Sequence, residues 1–415
     1  MATNPTQKAR ELADDLFALD LTVYSTTYTL DSVLYAALAE SALDISVSLH
    51  PEQIEILNQI KNNDALIVSA PTSFGKTFCV FEYIARYLPR NIVLIVPTLA
   101  LVDEYLKRVI KKYQALFSIY KVHTHLDEDR NYNFDQNNIF IITHDRVVQD
   151  NAYSMIKKID FLVIDEVYKL ETDPQNDRVL VLNMAYYHLA QKAKKYVLLA
   201  PFIKSIEDIE QLEKRPVFYN TSYSPVVNDV KTVTILRHED RYVECQRLIK
   251  KLQSDEKTLI YFPTVAGIYK YINNYISEEP IINDIDDNMK YFIEWAREEI
   301  HEEWSVITAM ERGYLIHNGQ IPIGTRLFQL DSYESSDKYN RLLCTSTLLE
   351  GVNTTAKNMI ITKPSRMSDS NNNNADFSAF DFFNLVGRTG RLNKHFIGTA
   401  YYLKTRTDPD YRKID

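Results

Sequence analysis

The sequence predicts an α/β chain built from two parallel-sheet domains in tandem. Three observations predict it: short apolar runs alternate with helical stretches over two separate regions, a tight Gly-Lys-Thr loop follows the first run, and an Asp-Glu pair follows another. A length of 415 residues exceeds one comfortable core and favours two or three domains.

Residues 1–45 carry seven acids against Lys8 and Arg10, with helical patterning in Lys8–Leu19 and Asp31–Leu43, and read as a helical N-terminal extension packed on the first domain. From Asp64 the pattern changes to short apolar strands between helices: Ala65–Ser69, Ile92–Val96, Ile139–Thr143, Phe161–Ile164 and Tyr196–Ala200. Runs of that kind fit a parallel sheet covered on both faces, and place a first α/β domain at 46–222. The polar, turn-rich stretch around Asn220–Asp229 marks a linker at 223–232. A second α/β domain at 233–415 follows, with strands near Thr258–Phe262, Tyr314–His317, Arg341–Thr345, Met359–Ile361 and Gly398–Leu403. It holds an acidic helical insertion at about 265–312 containing Trp304, and a low-complexity loop at Ser368–Ala375. Both are expected to be peripheral. No repeat of solenoid length occurs.

Composition excludes several classes. With 45% hydrophobic and 25% charged residues the chain reads as an ordinary globular protein. Cys79, Cys245 and Cys344 lie far apart without metal-ligand spacing, which argues against a disulfide framework and a zinc site and fits reducing conditions. The N-terminus lacks an apolar signal core and no run is long enough to span a bilayer, so a cytoplasmic protein with no membrane partner is expected. A net charge of -9 argues against a globally basic nucleic-acid binder but leaves room for a locally basic groove.

The chemistry concentrates in three places. In Ala65–Thr77, ALIVSAPTSFGKT, an apolar strand runs into a loop made of Ser69, Ala70, Pro71, Thr72, Ser73, Phe74, Gly75, Lys76 and Thr77. Such a loop aims backbone N–H groups at one point at a helix N-terminus, which suits a nucleotide's phosphates. Lys76 would add a point charge and Thr77 a hydroxyl for Mg²⁺. The strand ending at Ile164 runs into Asp165-Glu166, two carboxylates at the C-terminal edge of a parallel sheet, one suited to a metal and one to activating water. In Asn384–Arg391, NLVGRTGR, Arg388 and Arg391 share a helical face and could stabilise charge on a transferring phosphate.

Together these residues resemble a superfamily 2 helicase core of two RecA-like domains that close over ATP. The match extends from about Leu49 to Leu403, with motifs in family order. Gln53 matches the glutamine that reads adenine, SAPTSFGKT is motif I, and Pro97-Thr98 resembles motif Ia. Thr143–Arg146 occupies the next strand-contacting motif, DEVY is motif II, LLAPF stands at motif III and IYFPT resembles motif IV. LLCTSTLLEGVN is motif V and NLVGRTGR motif VI. The resemblance implies ATP and Mg²⁺ as cofactors, with Lys76, Glu166, Asn384, Arg388 and Arg391 catalytic and Thr77 and Asp165 on the metal. Gly351 and Asn353 would join Gln53 and the phosphate loop at the nucleotide. Pro97, Thr98, Thr143, Arg146, Thr264, Thr345 and Thr347 would contact single-stranded or tailed DNA or RNA.

Glu302–Pro322 and TSTLLEGVN further resemble the Ski-like branch and helicases of bacterial antiphage defence, including Hachiman-type ones, and imply a role in antiviral defence or repair, with a nuclease as candidate partner. Tyr168, Pro201-Phe202 and Asn384 depart from the usual residues of motifs II, III and VI, and the first two positions normally couple hydrolysis to domain movement. The sequence stops soon after Arg391, short of the winged-helix and ratchet domains typical of the Ski branch, so weak unwinding by the chain alone is expected. An alternative reading is a helicase-like scaffold that recruits a nuclease without unwinding. A P-loop kinase or transporter ATPase fails to explain NLVGRTGR. His317 reads as a structural histidine, and Tyr35, upstream of Gln53, as a residue that could stack on adenine.

Overall fold

The computed structural model describes all residues except 1–4, 20, 23, 24, 26, 128, 168–176, 202, 204–213, 225, 239, 350–353, 355, 368–373, 391–396 and 412–415. The chain divides into two compact units, Met1–Pro225 and Val226–Asp415. Each is a RecA-like α/β unit around a parallel sheet.

The first unit contains β1 (Ala65–Ser69), β2 (Asn91–Val96), β3 (Lys121–His123), β4 (Asn138–Thr143), β5 (Ile159–Ile164), β6 (Ala193–Ala200) and β7 (Val217–Asn220). They form a seven-stranded sheet in the order β3-β4-β2-β5-β6-β1-β7, with every pair parallel. Successive side chains of a strand point to opposite faces, so each strand feeds two cores. Leu66, Val68, Leu94 and Val163 enter one, while Ile67, Val93, Ile95 and Leu162 enter the other. The continuous apolar runs of β1, β2 and β4 are accordingly buried along their whole length.

The N-terminal region is helical over Pro5–Ala18 and Leu30–Leu38. The second helix ends at Leu38, short of the expected Leu43, because the chain turns back: Ala39 caps it and Glu40 bridges to Ser48. Ala39, Leu43 and Leu49 enter the core beside the helix Lys76–Tyr87. A buried carboxylate pins this turn to that helix. Glu82 accepts hydrogen bonds from Ser41 Oγ (2.7 Å), the N–H groups of Ala42 (2.7 Å) and Leu43 (3.3 Å), and Arg86 Nε (2.7 Å). Tyr35 donates to the Leu49 carbonyl at 2.8 Å and meets Phe17 edge to face, which makes it an anchor of the layer.

The second unit contains β8 (Val227–Thr234), β9 (Thr258–Tyr261), β10 (Tyr314–His317), β11 (Arg341–Cys344), β12 (Asn358–Ile361), an antiparallel hairpin of β13 (Ser365–Met367) and β14 (Asn374–Asp376), and β15 (Ile397–Lys404). Its six-stranded parallel sheet has the order β10-β11-β9-β12-β15-β8. Two expectations change. The stretch 223–232, read as a linker, contributes most of β8; its Asn228-Asp229 pair looks like a turn but lies on a sheet edge, where polar residues are tolerated. The 265–312 segment is helical but not peripheral. Met289, Ile293 and Ala296 recur at helical spacing along Asp287–Glu299 and enter the main core with Val306, Ile307, Ala309 and Met310, while Trp304 packs against it. Among the described residues no helix is long and apolar enough to cross a membrane.

Candidate functional site

The C-terminal edge of the first sheet carries the strand-end loops. β1 ends at Ser69, whose hydroxyl donates to Ile203 O at 2.8 Å, and Ala70 N continues the ladder to Ala200 O at 3.1 Å. A short 3-10 turn, Thr72–Phe74, follows, and Gly75 at φ +91° swings the chain into the helix Lys76–Tyr87. Only glycine takes that conformation cheaply, so Gly75 is what brings the helix N-terminus under the loop. Lys76 Nζ lies across the loop and donates to Ala70 O (2.6 Å) and Pro71 O (3.0 Å). Thr72 Oγ1 is buried with no hydrogen-bond partner among the described residues, and Ser73 Oγ is 3.2 Å from Ser224 Oγ. A buried hydroxyl, an ammonium and a helix N-terminus converging on one loop fit an anion such as a polyphosphate.

β5 delivers the carboxylates. Asp165 N still pairs with Ile95 O at 2.9 Å, and the chain then leaves the sheet at Glu166, which adopts φ +56°, a left-handed conformation costly for a residue with a Cβ. Both side chains are buried. Asp165 Oδ1 accepts its neighbour's N–H at 2.9 Å and Oδ2 accepts the Tyr105 hydroxyl at 2.7 Å. Burial, and then the adjacent Glu166 charge, push the Asp165 pKa above the ordinary carboxylate value. Tyr105 Oη also lies 3.4 Å from Thr77 Oγ1, so one phenol spans the two residues expected to serve Mg²⁺. Burial, with the Asp165 charge second, holds that phenol protonated and hence a donor. A hydroxyl and two carboxylates are hard oxygen donors that fit Mg²⁺. No cluster of three or more His, Cys, Asp or Glu side chains able to hold a metal exists among the described residues.

Tyr105 is the site residue that sequence reasoning missed. It sits mid-helix in Leu99–Lys107, where Leu101, Val102 and Tyr105 mark an ordinary buried face. Gln53 is placed differently from its expected role. The helix Pro51–Asn62 starts with a reciprocal cap in which His50 and Gln53 exchange hydrogen bonds at 3.3 Å, and Gln53 Nε2 donates to Phe74 O at 3.2 Å. The glutamine amide is therefore buried and holds the phosphate loop from behind. Burial lowers the His50 pKa to about 4, so its ring is neutral and Nδ1 can accept.

The residues expected to touch nucleic acid occupy equivalent turns. Thr98, Thr143 and Thr264 each follow a parallel strand and cap the next helix, accepting from Leu101 N (3.4 Å), Arg146 N (3.4 Å) and Gly267 N (3.1 Å). Pro97 is buried and Arg146 donates to Thr124 O at 3.4 Å. In the second unit Thr345 Oγ1 lies 3.3 Å from Thr347 Oγ1, which lies 3.1 Å from His317 Nδ1. His317 is buried, and burial followed by Arg326 lowers its pKa to about 4, as a structural histidine requires.

Asn384 and Arg388 lie at the end of the helix Ala379–Val386 and in the turn beyond it. Asn384 is buried, with Oδ1 lacking a partner among the described residues; Arg388 is half-buried. The turn continues through Thr389 to Gly390 at φ +72°, packed so tightly on β15 that a Cβ on Gly398 would lie 2.6 Å from Gly390 N. Gly351, Asn353 and Arg391, with Tyr168 and Phe202, lie outside the described residues. A cavity of about 440 Å³ in this unit opens where β10 and β11 begin, beside Tyr314 and Arg341.

Residues 50–209 match the model of the DEAD/DEAH box helicase family. The chain is 29% identical over 391 residues to Anti-bacteriophage protein B of Escherichia coli (strain K12), a match covering 91% of this chain and 50% of that protein. It is 20% identical over 384 residues to Activating signal cointegrator 1 complex subunit 3 of Dictyostelium discoideum, covering 85% of this chain and 17% of that protein. The chain thus spans half the length or less of these curated relatives.

Proposed function

We propose that this chain, which carries a DEAD/DEAH box helicase domain at residues 50–209, is a nucleic-acid-stimulated ATPase that moves on or separates DNA or RNA strands in antiviral defence. The observation that carries the reading is the convergence of Thr77 and Asp165 on the Tyr105 hydroxyl, beside a loop whose lysine and helix N-terminus suit phosphates. The printed name of the Escherichia coli relative supports the defence setting.

In this reading Lys76 exchanges its two loop carbonyls for phosphate oxygens, and the backbone N–H groups from Gly75 onward hold the remaining charge. Thr77 and Asp165 hold Mg²⁺, which when bound neutralises phosphate charge and orients the leaving group. Glu166, on its left-handed turn, accepts a proton from the attacking water. Gln53 sets the loop position through Phe74, and base contact there requires its amide to exchange that carbonyl for the ring. Asn384, Arg388 and Arg391 act from the second unit, the arginines on developing phosphate charge. Gly351 and Asn353 complete the nucleotide contacts. As helix caps, Thr98, Thr143 and Thr264 use an oxygen lone pair on a backbone N–H, so the hydroxyl hydrogen is the part suited to a strand's phosphate. Together with Pro97, Arg146, Thr345 and Thr347 they position a backbone without reading sequence.

The test is ATP turnover by the wild-type chain with matched single-stranded DNA, matched RNA, and neither. Stimulation by at least one strand, and loss of both binding and turnover in Lys76→Ala, are expected. Turnover indifferent to both strands would remove the nucleic-acid part of the reading.

A further inference from the structure

Tyr105 is fully buried and its ring is set by aromatic packing. Its ring meets Phe81 edge to face, with centroids 5.4 Å apart and planes at 70°. Phe81 lies one turn beyond Thr77 on the same helix, and the Arg108 guanidinium, itself paired with Glu104 at 2.6 Å, sits 5.8 Å from the Phe81 ring centre. Ring packing therefore fixes where the phenol oxygen sits relative to the Thr77 side chain.

The hydrogens can then be assigned. A phenol has one hydrogen, and at 2.7 Å it belongs to Asp165 Oδ2. Thr77 Oγ1 lies 3.4 Å from the phenol oxygen, beyond an ordinary O–H···O length. The bond that orients a metal ligand is therefore the one to Asp165. The same bond fixes the plane of the Asp165 carboxylate, whose other oxygen is held by the Glu166 N–H at 2.9 Å.

Resting on the ATPase reading above, we infer that Tyr105 is a positioning residue for the metal: its single hydroxyl orients the Asp165 carboxylate toward Mg²⁺, beside Thr77. Tyr105→Phe removes that hydroxyl and keeps the ring against Phe81. Partners of this kind typically contribute ten- to hundredfold in metal affinity.

The readout is ADP affinity by calorimetry across a Mg²⁺ titration and in EDTA, which needs no turnover. In Tyr105→Phe the Mg²⁺ concentration giving half the metal-dependent gain in ADP affinity should rise about ten- to hundredfold, with affinity in EDTA within a few-fold of wild type. A folded variant with an unchanged Mg²⁺ midpoint overturns the inference. Equal losses with and without Mg²⁺ also overturn it, because they indicate a structural role only. Should the variant not fold, 3-fluorotyrosine at position 105 of the otherwise wild-type chain decides: its fluorine resonance should move when Mg²⁺ is added to the ADP-loaded protein, and a static resonance refutes the assignment. A wild-type chain whose ADP affinity ignores Mg²⁺ overturns the ATPase reading along with the inference, whereas the preceding results overturn the inference alone.

Discussion

Glu166 combines the proposed role of base with a backbone conformation that opposes folding, and two substitutions separate them. At φ +56° a residue with a Cβ is left-handed, which costs about 1–2 kcal/mol. Glycine relieves that cost but loses roughly 0.5–1 kcal/mol more chain entropy on folding. The balance favours Glu166→Gly by about 0.5–1 kcal/mol, and removing a negative charge beside the buried Asp165 acts in the same direction. Glu166→Gln keeps the Cβ and therefore the strain. Both variants lack the base, whose contribution is on the order of 10²–10⁴ in turnover. The expected pattern is that both lose at least about 100-fold in ATP turnover while retaining nucleotide binding, both gain from the lost charge, and the glycine variant exceeds the glutamine variant by the strain of about 0.5–1 kcal/mol. For a unit of this size 1 kcal/mol corresponds to a Tm shift of about 2–4 °C, measurable by thermal unfolding without nucleotide. A glycine variant that melts at or below the glutamine variant would refute the strain argument. Glutamine-variant turnover within a few-fold of wild type would refute the base assignment.

Three other outcomes follow from the geometry. Arg388→Ala should lower maximal turnover by on the order of 10³ while leaving nucleotide affinity within a few-fold, measured with saturating ATP and nucleic acid; equal loss in both would place the arginine in ground-state binding instead. Gly398→Ala puts a methyl 2.6 Å from backbone atoms of Thr389 and Gly390, so the second unit should lose about 1–3 kcal/mol or more in urea unfolding, and a neutral result would mean that turn is free to move. His50 and His317 are held neutral at pKa values of about 4 against the ordinary 6.5. The unfolded chain therefore takes up protons below pH 6.5 that the folded chain refuses until about pH 4, and stability falls as pH drops through that window. At about 1.4 kcal/mol per unit each histidine accounts for at most about 3.5 kcal/mol, and His317→Gln should flatten the slope between pH 7 and 5; an unchanged slope would assign it to other groups.

What could be read from the sequence was whatever the chain places side by side. β1, β2, β4, β5, β6, β9, β10, β11 and β12 announce themselves because a strand covered on both faces is a continuous apolar run. β3 and β7 have no such run, being short and partly exposed at sheet edges. β8 spaces Val227, Val230 and Val233 by three, which matches neither strand nor helix periodicity. Gly75-Lys76-Thr77 and Asp165-Glu166 were legible for the same reason, as neighbours whose chemistry needs their adjacency. Tyr105 was not, since nothing local distinguishes it among 28 tyrosines and its two partners lie on other elements. Gln53 shows the remaining gap: its position was legible, but the direction of its amide is set by a histidine cap and by the Phe74 carbonyl.

The edge position of β8 sets a clock on synthesis. It leaves the ribosome first in its unit, yet its sole neighbour in the sheet is β15, paired from Val227 against Ile397 through Thr234 against Lys404. About 160 residues separate the two strands, which at roughly 5–20 residues per second is a wait of ten to thirty seconds with both edges of β8 open. Asn228, Asp229 and Lys231 make the waiting strand a poor template for other chains, at the expense of a weaker strand signal. The same residues that disguise β8 as a linker thus protect the nascent second unit from its neighbours on the polysome.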